Sequence, residues 1–426
     1  MNLTNRQLRR TIQAGLIALV ALMPFHAFLS VWLGSLTGQQ AVIQAWKEVL
    51  LLTLGALALW LLWRDRDARR RLSNWPVRLI GLFGAIALLV TALAHPPLAA
   101  AAFGAKTDLE FLFACTLALL VASPRFVRLL GLTVLFAAVG VIGFGLLQAY
   151  VLPPDFLTRF GYGPTTIPPY LKLDPAIDTL RYGSTLGGPN QLGTYLILPI
   201  VLAVTLALRR GQWWWGLLAV AGGVVLYHTY SRSAWIGALL ALVVTAWLLT
   251  PTRYRAIGLG LLGAAAVGVI AFVAHALGKG GKLQYILLHT DIAGHDQRGS
   301  DFEHVQSLRL GAEGIMTNPI GHGLGSAGPA FFHTGVGRII ENNYLQIAYE
   351  TGVAGGIAFI MLILATAREL AARATHHDLA LASFAALAGL SLVAVVLPAW
   401  TDSSTALIFW TASGAVMGLS REGQHV

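Results

Sequence analysis

Charge is scarce in this sequence. Aspartate, glutamate, lysine and arginine make up only 11% of its 426 residues, against roughly a quarter in a soluble domain, so the chain cannot clothe a water-exposed surface with charge. Acidic residues are the scarcer kind, 19 against 29 lysines and arginines, which leaves a formal net charge of +10. Cysteine is nearly missing. Its one copy, Cys115, lies within an apolar run, which excludes a disulfide framework, cysteine-ligated metal and thiol catalysis. The histidines show no paired spacing of a zinc site, so neither a metal nor another cofactor is expected. Hydrophobic residues are plentiful, at 56%, and the mean hydropathy is +0.68. Lipid is the expected solvent, and the expected fold class is an all-α integral membrane protein.

A stretch of about twenty apolar residues crosses the hydrocarbon core as a helix, because each backbone polar group must be satisfied inside the segment. The sequence predicts about twelve such helices, near 11–33, 43–63, 77–95, 104–122, 127–151, 189–208, 213–230, 233–250, 255–277, 342–366, 378–398 and 403–420. The first is too long for a signal core and has no small-residue cleavage site after it, so it is expected to remain as a helix. Residues 1–426 read as a single polytopic membrane domain with two long loops, 152–188 and 278–341. Arg6, Arg9 and Arg10, the run from Arg64 to Arg78, Arg125 and Arg128, Arg209 and Arg210, Arg253 and Arg255, Arg368 and Arg373, and Arg421 fall in short segments on one side of these spans. The positive-inside rule makes that side cytoplasmic, with both termini inside and both long loops outside. Much of the net charge is then a topology signal. Nucleic acid is not an expected partner; membrane lipids are.

The other cations lie outside. Lys47, Lys106 and Arg232 stand at outer helix ends, Arg159, Lys172 and Arg181 in the first long loop, and Lys279, Lys282, Arg298, Arg309 and Arg338 in or beside the second. Any one of them reads as plain solvation; together they suggest an anionic ligand such as a pyrophosphate. Both loops are rich in proline, glycine and aromatics, which argues against disorder and for function. From His304 to Met316 an apolar period of three to four predicts a helix at the membrane surface, ended by Pro319. The glycines that follow let backbone approach a ligand closely. Asn343, Gln346 and Glu350 share one helical face, and an ionisable group in a membrane helix marks either a working site or a bundle-pairing contact. Lys47 and Glu48, as immediate neighbours, are not expected to face each other, so each needs another partner. Lys47 reads as an interface anchor, with an extension of a phosphate site as the alternative.

Three segments carry a resemblance. Arg181-Tyr-Gly-Ser leads to Gly188-Pro-Asn190 at the start of a helix. Ser231-Arg232-Ser-Ala sits at an outer helix end. The third combines Arg309, Asn318-Pro319, Gly321-His322-Gly323-Leu-Gly325, and Glu341-Asn342-Asn-Tyr-Leu-Gln346 with Glu350, Gly352 and Gly355. In order, spacing and outward placement they resemble the O-antigen ligase and O-antigen polymerase family of bacterial envelope glycosyltransferases. The resemblance implies a membrane fold of the GT-C type in the bacterial inner membrane, with its active site facing the periplasm. It implies en bloc transfer of a glycan from undecaprenyl pyrophosphate to an acceptor hydroxyl. That acceptor is lipid A-core for a ligase and another lipid-linked glycan for a polymerase. It also implies that matching arginines hold the pyrophosphate and that no metal is required.

One position departs from the family. Ligases place a histidine where this chain has Glu341. A carboxylate can serve as the base for an acceptor hydroxyl, so Glu341 is the expected base, with His322 and His333 as backups. The departure weakens the case for a ligase over a polymerase and leaves the donor chemistry intact. Arg181 and Arg309 are the expected diphosphate-stabilising groups, because a planar guanidinium bonds phosphate oxygens in pairs. Arg232, Asn190, Asn342, His322, His333, Lys47 and Glu350 are expected to line the substrate. Gly323 to Gly328 spells a dinucleotide fingerprint without the strand and helix it needs. Asp65-Arg-Asp67 spells a metal-binding pair but lies among arginines on the cytoplasmic side. A transporter or flippase is the reading from another class. It is disfavoured because the halves are unlike and the bulky loops are unequal.

Overall fold

The computed structural model describes residues 4–174, 177–254, 300–335 and 337–419. The chain starts with a reciprocal cap. Thr4 Oγ1 accepts from the Gln7 backbone N–H at 3.2 Å, and Gln7 Oε1 accepts from that of Thr4 at 2.8 Å, which opens α1 (Asn5–Leu22). Pro24 sits in a single 3-10 turn, and α2 (His26–Thr37) continues the run until Gly38 turns left-handed at φ 70°. There follow α3 (Gln40–Gln44), α4 (Trp46–Arg64), α5 (Arg66–Arg71), α6 (Trp75–Ala94), α7 (Leu98–Leu120), α8 (Pro124–Tyr150), α9 (Pro189–Arg210), α10 (Trp213–His228) and α11 (Arg232–Leu249). Then come α12 (Ser300–Thr317), α13 (Ala330–Thr334), α14 (Asn343–Ala374), α15 (Asp378–Val393) and α16 (Ser403–Met417).

The chain is an all-α integral membrane protein. Among the described residues, seven helical runs are long and apolar enough to cross a membrane: 5–37, 40–64, α6, α8, α9, α11 and α14. Apolar α10 and α15 are shorter, and α7 carries Lys106, Asp108 and Glu110 within its length. The span expected at 255–277, and with it Arg255, Lys279, Lys282, Arg298 and Arg421, lies outside the described residues. The other expected spans each coincide with a helix. Helices approach closely where a glycine faces the neighbouring backbone. A Cβ on Gly414 of α16 would run into the Cys115 carbonyl of α7, and one on Gly389 of α15 into the Gly237 carbonyl of α11.

The arginine-bearing segments gather at one end. Arg9 on α1 pairs with Asp65 after α4 at 2.6 Å, and Arg71 donates to the carbonyls of Leu119 and Ala122 after α7. Arg210 on α9 pairs with Asp378 on α15 at 2.8 Å. Asp65 is more than a solvated loop residue, since its Oδ1 also caps α5.

At the opposite end the first long loop holds, after a short 3-10 helix at Phe156–Phe160, a feature that the sequence reading lacks: an antiparallel hairpin. Strands β1 (Leu171–Asp174) and β2 (Ile177–Arg181) pair with Leu171 opposite Arg181. Apolar residues alternate with polar ones through Leu171-Lys-Leu-Asp, the period of a strand rather than a helix. Before the hairpin, Phe160 packs on Phe28 and Trp32 of α2 with centroids 5.3 and 5.8 Å apart, which pins the loop to the bundle. The second loop contains α12 where a surface helix was expected, over Ser300–Thr317.

Candidate functional site

Arg181 ends β2 and points back into the protein. Its Nε donates to the Thr229 carbonyl and its Nη2 to Asn190 Oδ1, both at 2.8 Å. Asn190 occupies the first turn of α9 and Thr229 the corner between α10 and α11, so two separate segments fix one guanidinium. Both acceptors are neutral. Burial, and then the charge of Arg232 nearby, push this guanidinium below its ordinary value. Arg232 opens α11 and is half-buried. The turn that leads into α9 is equally fixed: Ser184, at φ 50°, donates to the Val141 carbonyl at 2.7 Å, and Thr185 donates to that of Pro24 at 2.8 Å. The sequence motifs at 181–190 and 231–234 therefore meet in one place. A small cleft lies beside them, lined by Arg181, Tyr162, Tyr170 and the Gly187-Gly188 turn.

The second cluster is built around a break in α14. Gly352 is extended and left-handed there, at φ 73° and ψ 176°. The loop 318–328 supplies the backbone partners that the break removes. His322 and Gly323 donate to the carbonyls of Tyr349 and Glu350 at 3.0 and 2.9 Å, and Val353 donates to that of Pro319 at 3.0 Å. Irregular backbone at membrane depth persists only where protein satisfies it in this way. His322 also stacks its ring on Tyr349, 3.9 Å between centroids and 5° from parallel. Glycine is needed at Gly325, which has φ 76° and whose Cβ would strike the Ala100 carbonyl of α7. Asn343, Gln346 and Glu350 are all buried on the shared face. Glu350 Oε1 accepts from the Ala327 N–H at 2.9 Å, and its side chain neighbours that of Asp108 on α7, which is also buried. Asp108 was not singled out by the sequence reading, although an acid inside an apolar helix is itself a signal.

The remaining expected residues are scattered. Glu341 is half-buried before α14, and its backbone N–H donates to Ser307 Oγ on α12 at 2.9 Å. Asn342 caps α14, accepting from the Leu345 N–H and donating to the Val395 carbonyl. Arg309 stands on the solvent side of α12, its side chain 80% exposed, and donates to Glu313 at 2.6 Å; none of its contacts among the described residues reaches Arg181. His333 lies in α13. Lys47 is buried at 1% exposure between Glu48 at 2.8 Å and Glu110 at 2.7 Å, and Lys106 also holds Glu48. The expectation that Lys47 and Glu48 do not meet is corrected, because the long ammonium stem folds back over one residue. With two carboxylates on it, Lys47 is committed to joining α4 and α7. The two clusters are linked through the end of α15: Gly237, in the second turn of α11, packs against Val393, and Asn342 bonds Val395.

Residues 217–360 match the family model described as O-antigen ligase. That stretch is similar to the O-antigen ligases. No curated protein matches the chain. The matched stretch begins in α10 and ends within α14, so it includes Arg232, Arg309, His322, His333, Glu341, Asn342 and Glu350. Arg181, Asn190 and Lys47 precede it. The resemblance drawn from the 231–234 and 309–356 segments thus falls inside the matched region. Together with the helical bundle it supports a membrane glycosyltransferase of the ligase or polymerase type. Among the described residues, no cluster of histidine, cysteine or acidic side chains could hold a metal.

Proposed function

We propose that this protein transfers a glycan en bloc from undecaprenyl pyrophosphate to the hydroxyl of lipid A-core, as an O-antigen ligase. One observation carries the reading: a half-buried guanidinium, Arg181, is held by two neutral acceptors beside a second arginine, with no carboxylate bonded to it among the described residues. A cation preorganised this way favours an anion that gathers charge as a bond breaks, as a diphosphate does when its sugar departs. The guanidinium fork of Arg181 keeps Nη1 for that anion, and Arg232 supplies the neighbouring charge. Glu341 takes the proton of the acceptor hydroxyl. Arg309 reaches an anionic group only by leaving Glu313, so it has an outer, secondary place. The whole chain acts as one inner-membrane domain with both termini cytoplasmic, the GT-C arrangement, and the hairpin and glycine loop in the periplasm.

A polymerase is the second reading, favoured by the carboxylate at Glu341, where the ligases have histidine. Lipopolysaccharide from a deletion strain separates the two on a gel. Loss of the ligase leaves bare lipid A-core, whereas loss of a polymerase leaves core with a single repeat. An unchanged ladder in a strain that makes O-antigen overturns both.

A further inference from the structure

At the end of the bundle far from the hairpin, α1 and α8 enclose a cleft of about 840 Å³. Four arginines border it: Arg6, Arg9 and Arg10 on α1 and Arg125 on α8. Its walls are fixed. Arg9 is held by Asp65, through Nη2 at 2.6 Å and Nε at 3.1 Å. Gln13 ties α1 to α8 by donating to the Val121 carbonyl at 2.6 Å and to Ser123 Oγ at 3.2 Å. Arg6, Arg10 and Arg125 are exposed, and none of them meets a carboxylate among the described residues. Away from the arginines the same cleft turns apolar, bordered by Ile17 and by Leu129, which is 40% exposed.

We infer that this cleft binds an anionic phospholipid, with the phosphodiester among Arg6, Arg10 and Arg125 and the acyl chains along Ile17 and Leu129. Guanidinium groups bond phosphate oxygens in pairs, and basic pockets between transmembrane helices at the membrane surface recognise acidic head groups. The apolar half separates a lipid from a free phosphate, which gains nothing from Ile17 and Leu129. The topology signal carried by arginine asks only for positive charge near a helix end. It does not ask that three uncompensated guanidiniums surround one cavity whose fourth arginine is neutralised by Asp65. The inference is independent of the proposed glycosyl transfer, since nothing in the cleft touches the hairpin or the glycine loop.

The test compares the purified full-length protein with two charge-matched triple variants. One removes the cleft, as Arg6→Gln, Arg10→Gln and Arg125→Gln. The other removes arginines at the same end outside it, as Arg66→Gln, Arg69→Gln and Arg253→Gln. Phosphatidylglycerol and phosphatidylcholine are titrated in nanodiscs, with retained lipid read by native mass spectrometry, and inorganic phosphate is titrated alone with a thermal-shift readout. The expected result is preferential retention of phosphatidylglycerol, weakened about 10²-fold in the cleft variant, where each arginine bonded to the head group is worth about a factor of five, and less than fivefold in the control, whose arginines do not touch the bound lipid. Equal weakening in both variants overturns the inference, since total charge then accounts for binding. A phosphate-induced shift lost in the cleft variant also overturns it, in favour of a free-anion site.

Discussion

Nη2 of Arg181 meets Oδ1 of Asn190 at 2.8 Å, joining the last residue of the hairpin to the first turn of α9. A loop residue is thereby oriented by a membrane helix rather than by the loop itself. The bond also explains why an asparagine follows Pro189: the amide oxygen orients the guanidinium without cancelling its charge, which an aspartate would do.

Arg181→Ala is therefore expected to lower glycan transfer by about 10²–10³ while the protein still inserts. Arg181→Lys should recover little, because an ammonium cannot reach Thr229, Asn190 and a phosphate at once. Ligation in membrane vesicles, at matched protein level, measures this. Full turnover in the alanine variant would remove Arg181 from the site.

Arg309→Ala is expected to cost less than about tenfold under the same assay, and to leave the melting temperature unchanged. Its guanidinium is exposed and its contact with Glu313 is screened by water. A loss as large as that of Arg181→Ala would bring Arg309 into direct contact with the diphosphate.

Glu341→Gln is expected to reduce transfer by about 10²–10⁴, the usual worth of a positioned base. The backbone bond from residue 341 to Ser307 survives the change, so folding is not the cause. Glu341→His should keep substantial activity and move the pH profile upward, towards the range of an imidazole. Normal turnover with glutamine would shift the role to His322 or His333.

Glu350→Gln should be tolerated, because a glutamine amide can accept from the Ala327 N–H. Glu350→Ala leaves the Ala327 N–H without its partner, an expected loss of about 1–3 kcal/mol. Thermal unfolding in detergent compares the pair; equal stability of the two would mean that this bond contributes nothing.

Gly325→Ala is expected to unfold well below the parent, because φ 76° strains any side chain and its Cβ would enter the Ala100 carbonyl. Gly335→Ala provides the comparison. Its φ of 67° is similar, but the space around it is open, so only the backbone term of about 1–2 kcal/mol applies. Similar melting temperatures for both variants would mean that the loop does not press against α7.

The helical bundle was legible because hydrophobic length is a strong signal, and arginine placement showed which helix ends lie together. The hairpin was not, since Leu171 to Asp174 is a short strand within a proline-rich loop. The motifs at Arg181, Asn190 and Arg232 come together in one place, because each marks a helix end or the strand that meets it. Exposure was invisible: nothing in the sequence distinguishes the solvent-facing Arg309 from the enclosed Arg181. Lys47 misled for a related reason, as its partner Glu110 lies on another helix and no local spacing pairs them.

The interruption at Gly352 couples the glycine turn to the bilayer. Three backbone bonds run between residues 319–323 and the broken α14, so lifting this turn away would strip a helix of its partners in a medium that offers no replacements. The turn is thus a fixed wall. Any rearrangement that opens a path past it belongs to other segments.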